Sequence, residues 1–350
     1  MLEKYNKIML KVKVSIPGFK SQINISQFTD NDENLVKGCK FFVNCSYMDK
    51  PDFWFIIEDL ESKIESCFIN PKNVYFLTAE TIFNNDYWLK PSKNKFLNQF
   101  EKIYSNYETN HNEIKSLPFL PWMINANHGD SIYSNHERNY TFFKNLHNLD
   151  KKKTISIITS NKTMTSEQTL RYEFAKYISK NLSHEIDWFG NGVNVLDQKW
   201  FGIAPYKYHI VLENKFSENI ISEKLYDSFL GLSFPIYAGA KNIYKYFDEN
   251  SLMTINLENF EESKKIIENT IKENLYEKYY TKLLDSKLLV LDKFNIFIRL
   301  ADIANENFNQ KNLPRKVILK NKSIFDKKYE RNNLIKKSAY QKIKKVMGSS

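Results

Sequence analysis

Short apolar runs rich in β-branched and aromatic residues alternate along this chain with segments of helical spacing, and that alternation restricts the fold more than any other feature. "IMLKVKVSI" (8–16) ends at Pro17-Gly18 and reads as a strand and turn. "CKFFVNCSY", "PDFWFIIED" and "KNVYFLTAE" (72–80) are further β-rich runs, and "LESKIESCFIN" between the last two has helical spacing. The rhythm fades over residues 107–150, a polar stretch punctuated by Pro118 and Pro121, and restarts at "TISIITSN". Leu170, Phe174, Tyr177 and Ile178 then mark an amphipathic helix. "IDWFG", "YHIVLEN", "FPIYAGA" and "LMTINL" read as strands, "SEKLYDSFLGL" as a helix, and further helices run through "KLLDSKLLVLDKFNIFIRLADIANEN". The expected architecture is α/β: residues 1–150 and 151–305 form two domains with mainly parallel sheets and a cleft between them, and 306–350 form a tail. In open sheets of this kind, ligands bind at the carboxyl ends of the strands.

A chain of 350 residues suits two cores rather than one. The formal charge of +10 is concentrated at the C-terminus: residues 311–350 hold 13 Lys/Arg against Asp326 and Glu330, leaving the remainder near neutrality. In the tail Ile324, Phe325, Leu334, Ile335, Ile343 and Val346 lie among lysines, an amphipathic pattern suited to an anionic membrane surface. A nucleic-acid-binding protein would spread basic and aromatic residues over its folded body. This body is near neutral, so no nucleic-acid partner is expected. Cys39, Cys45 and Cys67 fit no zinc spacing and read as reduced thiols, and no metal site is expected. The lysine-broken N-terminus is not read as a signal peptide, and the longest uncharged apolar stretch, within 229–240, is short of a membrane span. A cytoplasmic protein is expected, free or peripheral at the inner face of the cell membrane.

Two constellations could carry chemistry. Asn214 follows a strand, and Glu223-Lys224 open the next helix, where unpaired N–H groups and the positive dipole end favour anions. Arg171 stands near the start of another helix that faces the same cleft, where a guanidinium can clamp a diphosphate. Each alone is more often a solvated helix end. Asp30-Asn31-Asp32 matches the Asp-x-Asp of metal-dependent transferases but lies in a polar loop of the wrong half, and His128 could line an acceptor cleft.

Leu212-Glu213-Asn214, Glu223-Lys224 and Pro235-Ile236-Tyr237-Ala238-Gly239 together resemble the donor-binding region of bacterial-type α-1,3-fucosyltransferases of glycosyltransferase family 10. The upstream Ser160-Asn161 with Arg171 and Phe174 fits the same pattern, and Ala79-Glu80 stands where bacterial members carry Gly-Glu. The resemblance spans roughly residues 50–270. It implies a GT-B-like fold of two Rossmann-like domains, the first for the acceptor and the second for the GDP-sugar. It implies an inverting transfer of L-fucose from GDP-β-L-fucose to a hydroxyl of a surface glycan or glycolipid, O3 of an N-acetylglucosamine or glucose unit, with an α-linkage. Glu80 would be the general base, Arg171 and Lys224 would hold the diphosphate, and Asn214 and Glu223 would bond sugar hydroxyls. No cofactor would be required, and a divalent metal would only stimulate. Ile220 departs from the pattern, which has an aromatic there, so another GDP-deoxy-sugar is the alternative donor; a non-catalytic glycan- or nucleic-acid-binding protein is the alternative of another class.

Overall fold

The computed structural model describes residues 9–17, 25–30, 34–45, 48, 50–79, 86–125, 138–308 and 313–327. Its first half is built on β1 (Leu10–Ser15), β2 (Leu35–Val36), β3 (Cys39–Val43), β4 (Phe53–Ile57), β5 (Ile64–Ile69), β6 (Val74–Leu77), β7 (Lys102–Ser105) and β8 (Ile114–Lys115), with helices α1 (Pro91–Leu97) and α2 (Tyr140–Asn145). Seven of these described strands form one sheet in the order β2-β3-β1-β4-β6-β7-β8, parallel except at β2. Every residue of β4 and β6 is buried, as strands covered on both faces require.

The second half contains β9 (Lys153–Ile158), α3 (Ser166–Asn181), β10 (Ile186–Phe189), α4 (Lys199–Ile203), β11 (Tyr206–Leu212), α5 (Glu223–Leu230), β12 (Phe234–Ala238) and β13 (Met253–Thr254). The sheet runs β10-β9-β11-β12-β13 and is parallel throughout. Helices α6 (Phe260–Lys272), α7 (Leu275–Lys278), α8 (Tyr280–Asp292) and α9 (Ile296–Asn307) follow. Each half is a mainly parallel sheet with helices between its strands, a Rossmann-like arrangement.

The halves share a core. One cluster of buried side chains includes Val12, Phe55 and Leu77 of the first sheet, Ile155, Ile210 and Phe229 of the second half, and Phe297 and Leu300 of α9. Helix α9 serves the first domain: the Arg299 guanidinium donates to the carbonyls of Pro118 and Leu117, each at 2.7 Å, and Asn295 Nδ2 donates to Phe28 O at 2.6 Å. A second cluster, with Trp54, Ile56, Phe76 and Phe96, fills the opposite face of the first sheet.

Two expectations are corrected here. The segment read as helical, residues 60–70, contains β5. Glu65, Cys67 and Ile69 turn inward while Ile64, Ser66 and Phe68 turn outward, a period of two. Its partner is β14 (Arg315–Lys320), antiparallel, from the stretch read as tail. Leu319 is buried in the second cluster, and Phe325 packs against Phe96 at 6.2 Å between ring centroids, so Phe325 is not free for a membrane. Local spacing could not show a strand whose partner lies some 250 residues away. Leu334, Ile335, Ile343 and Val346 lie outside the described residues, as do Glu80, Asn31, Asp32 and His128. No helix among the described residues is long and apolar enough to cross a membrane.

Candidate functional site

The carboxyl ends of β9, β10 and β11 open into a cleft of about 570 Å³. Arg171, Asn214, Glu223 and Lys224, from three different segments, all line it. Helix α3 starts at an N-cap, Thr165, whose hydroxyl accepts Gln168 N–H at 3.2 Å, and one turn later delivers Arg171. That guanidinium is 5 % exposed. Its Nη1 donates to Leu212 O at 3.2 Å, and its Nε has no hydrogen-bond partner among the described residues. Burial lowers its pKa, against the opposing pull of Glu213 and Glu223. A second buried polar atom without a partner, Thr159 Oγ1, belongs to the same cleft. Buried polar groups are normally bonded, so two orphans on one wall mark a place built for a polar ligand.

Glu213 is fully buried and holds the start of α5. Its Oε1 accepts Ser222 N–H at 2.8 Å and its Oε2 accepts Ser222 Oγ–H at 2.6 Å, while Ser222 caps the helix. Burial raises the Glu213 pKa, with Lys224 and Ser222 pulling it down. Lys224 Nζ lies 3.7 Å from Glu213 Oε2 and 3.4 Å from Glu223 Oε1. Burial would raise the Glu223 pKa, but Lys224 and Lys199 beside it hold the carboxylate at about 2. Glu223 is therefore ionised at neutral pH, an acceptor for hydroxyl protons.

Sequence reasoning missed several polar members of the cleft, among them Lys199, Asp227 and His209. Lys199, on α4, bridges Glu223 at 3.4 Å and Asp227 at 2.9 Å. Both carboxylates raise its pKa despite burial. Asp227 is pushed up to about 6 by burial, with Lys199 opposing. Its other oxygen accepts Met123 N–H at 2.7 Å, which ties the segment arriving from the first domain to α5. Asp227 stands four residues after Glu223 on one helix, a spacing that stacks them on one face and could have revealed it. Lys199 carries no such signal. Ser156 Oγ donates to Gly202 O at 2.6 Å and lies 2.8 Å from His209 Nδ1, so Nδ1 carries the imidazole proton. Burial, then Lys199 and Lys151, depress this histidine to about 3, and it stays neutral.

Close backbone packing shapes the cleft. Gly190 has φ +144°, and a Cβ there would stand 2.3 Å from Thr159 O. Ile220 does not line the cleft. It is 1 % exposed, in the cluster that holds Phe76, Trp88 and Tyr107 of the first domain. The departure from the family's aromatic therefore falls on the domain junction. Among the described residues no group of three or more His, Cys, Asp or Glu side chains could hold a metal ion.

Residues 148–287 match the family model "Glycosyltransferase family 10 (fucosyltransferase) C-term". No curated protein sequence matches the chain. Among solved structures, the chain is similar to an α1,3-fucosyltransferase with GDP (15 % identity, TM-score 0.46, covering 85 % of this chain and 94 % of that one). The same enzyme type with GDP-fucose gives 15 % identity and a TM-score of 0.45, covering 84 % of this chain and 93 % of that one. Staphylococcus aureus TarM, solved with UDP, gives 11 % identity and a TM-score of 0.42, covering 74 % and 56 %. Residues 148–287 are similar to the C-terminal domain of glycosyltransferase family 10 (fucosyltransferase), and the chain is a glycosyltransferase.

Proposed function

We propose that the chain transfers L-fucose from GDP-β-L-fucose, with inversion, to a hydroxyl of an oligosaccharide or glycolipid, forming an α-linkage. The observation that carries this reading is the Arg171 guanidinium, buried and short of partners, beside Lys224 at the start of α5 in a cleft of the family 10-like domain. The two cations and the free amides of two helix starts suit a diphosphate and the charge that grows on it as the sugar departs. Glu223, ionised, accepts ribose or sugar hydroxyls, with Asn214 beside it on the same cleft. Glu80, which follows Ala79 beyond the carboxyl end of β6, takes the proton from the acceptor hydroxyl as its oxygen attacks the anomeric carbon. That one displacement needs no enzyme nucleophile. The basic residues 328–350 bring the enzyme to an anionic membrane surface that carries the acceptor. A calorimetric screen of GDP-fucose, GDP-mannose and UDP-sugars tests the donor: GDP-fucose should bind tightest, and preference for a UDP-sugar would overturn the reading.

A further inference from the structure

Beyond Leu77 the end of β6 is gripped from both sides, and Thr78 and Ala79 are buried there. On one side, Thr78 N–H donates to Tyr104 O at 3.0 Å, Thr78 O accepts Phe119 N–H at 2.9 Å, and Thr78 Oγ1 donates to Asn106 Oδ1 at 2.6 Å. On the other, Glu58 follows β4 with φ +63°, a left-handed conformation uncommon for Glu. Its N–H donates to Leu77 O at 2.9 Å, and its carboxylate accepts Ala79 N–H at 2.7 Å. The chain leaves the sheet at Glu58, so the carboxylate stands in for the next ladder acceptor and carries the hold on β6 as far as Ala79.

A distant segment holds Glu58 in turn. Two residues past β14, Lys322 N–H donates to Asp59 Oδ1 at 3.0 Å, and the Lys322 ammonium lies 3.4 Å from Glu58 Oε2. That ammonium also stands 5.1 Å from the ring centroid of the buried Trp88. Buried Lys93 pairs with Asp326 at 2.6 Å and fixes the end of the same segment. Residues 321–326 thus strap the carboxyl ends of β4 and β6. Asn106 Nδ2 is buried there with no hydrogen-bond partner among the described residues, a donor left open at this end of the sheet. Uncommon backbone conformations persist where the surroundings over-determine them, and they cluster at active sites. A trans peptide sets the next Cα about 3.8 Å from that of Ala79, and the next residue is Glu80.

We propose that Glu58 is a positioning residue for the transfer: through Ala79 N–H it fixes the strand end that delivers Glu80, and Lys322 holds Glu58 in that geometry. The assignment rests on the reading of Glu80 as the base. The test follows GDP release from GDP-fucose with water as the acceptor. The water oxygen bonds to the anomeric carbon as the bond to the GDP oxygen breaks, and the water proton goes to the base. Glu58→Ala should lower kcat by roughly 100-fold, the scale of an ångström's misplacement, with GDP-fucose affinity in calorimetry within about twofold of wild type. Glu58→Gln, whose amide oxygen still accepts Ala79 N–H, should regain most of the rate. A normal rate in Glu58→Ala would overturn the positioning role. A Glu58→Gln as slow as Glu58→Ala would overturn it too, because the carboxylate itself would then do the chemistry. Should Glu58→Ala not fold, Thr78→Val, which unties the same strand end from Asn106, should lower kcat with affinity kept, and an unchanged rate there would overturn the proposal. Glu80→Gln separates the two readings. Undiminished GDP release in that variant removes the base reading itself, whereas a silent Glu80→Gln beside an unaffected Glu58→Ala overturns only the positioning.

Discussion

Replacing Arg171 with methionine separates what the residue does for binding from what it does to the fold. The guanidinium cannot shed its charge, is 5 % exposed, and leaves its Nε–H without a partner among the described residues. A buried donor left unsatisfied costs about 1–3 kcal/mol, more when charged. Glu213 and Glu223 return part of that, but burial still prevails in the direction of the shift. Methionine fills a similar volume without the charge. The ligand-free variant should therefore be more stable than wild type by about 1–2 kcal/mol, read as a rise in urea midpoint at unchanged slope. Binding should move the other way. Charge-assisted hydrogen bonds contribute roughly 1.5–3 kcal/mol each, so losing the clamp should weaken GDP by about 10- to 100-fold in calorimetry. GDP affinity equal to wild type, or a ligand-free Arg171→Met that unfolds at lower urea, would refute the argument that this guanidinium is held in wait for an anion.

Glu80→Gln should bind GDP as wild type does and fail to transfer; near-normal turnover in a radiolabelled transfer assay would remove Glu80 as the base. Asp227 has a folded pKa of about 6 against 3.8 unfolded, so its stabilising contribution is complete below pH 3.8 and is lost as pH rises toward 6. Asp227→Asn should abolish that decline, about 3 kcal/mol in wild type across the window, and parallel stability profiles of the two proteins in urea between pH 4 and pH 6.5 would contradict it.

Much of the second domain could be read from residues near one another in the chain. The helix opening at Glu223 follows from Ser222 and the apolar spacing behind it, and a helix start is an anion site for local reasons: unpaired amides and an aligned dipole. Asn214 could be placed because it follows a strand's carboxyl end, and Arg171 because it stands near the start of the helix after another such strand; parallel sheets bring those ends together. Tertiary structure alone decided the rest. Residues 64–69 became a strand because 315–320 came back to pair with them, and pairing across so long a separation leaves no trace in local periodicity. Lys199 joined the cleft because α4 packs against β9 and β11, and its meaning comes from two carboxylates 24 and 28 residues further along. Ile220 looked like a gap in the donor site until folding turned it into the core beneath the first sheet. The sequence by itself determined the strand–helix rhythm and the chemistry at the helix starts, since both rest on neighbours along the backbone. Which charges share a cavity was decided only when distant segments were brought into contact.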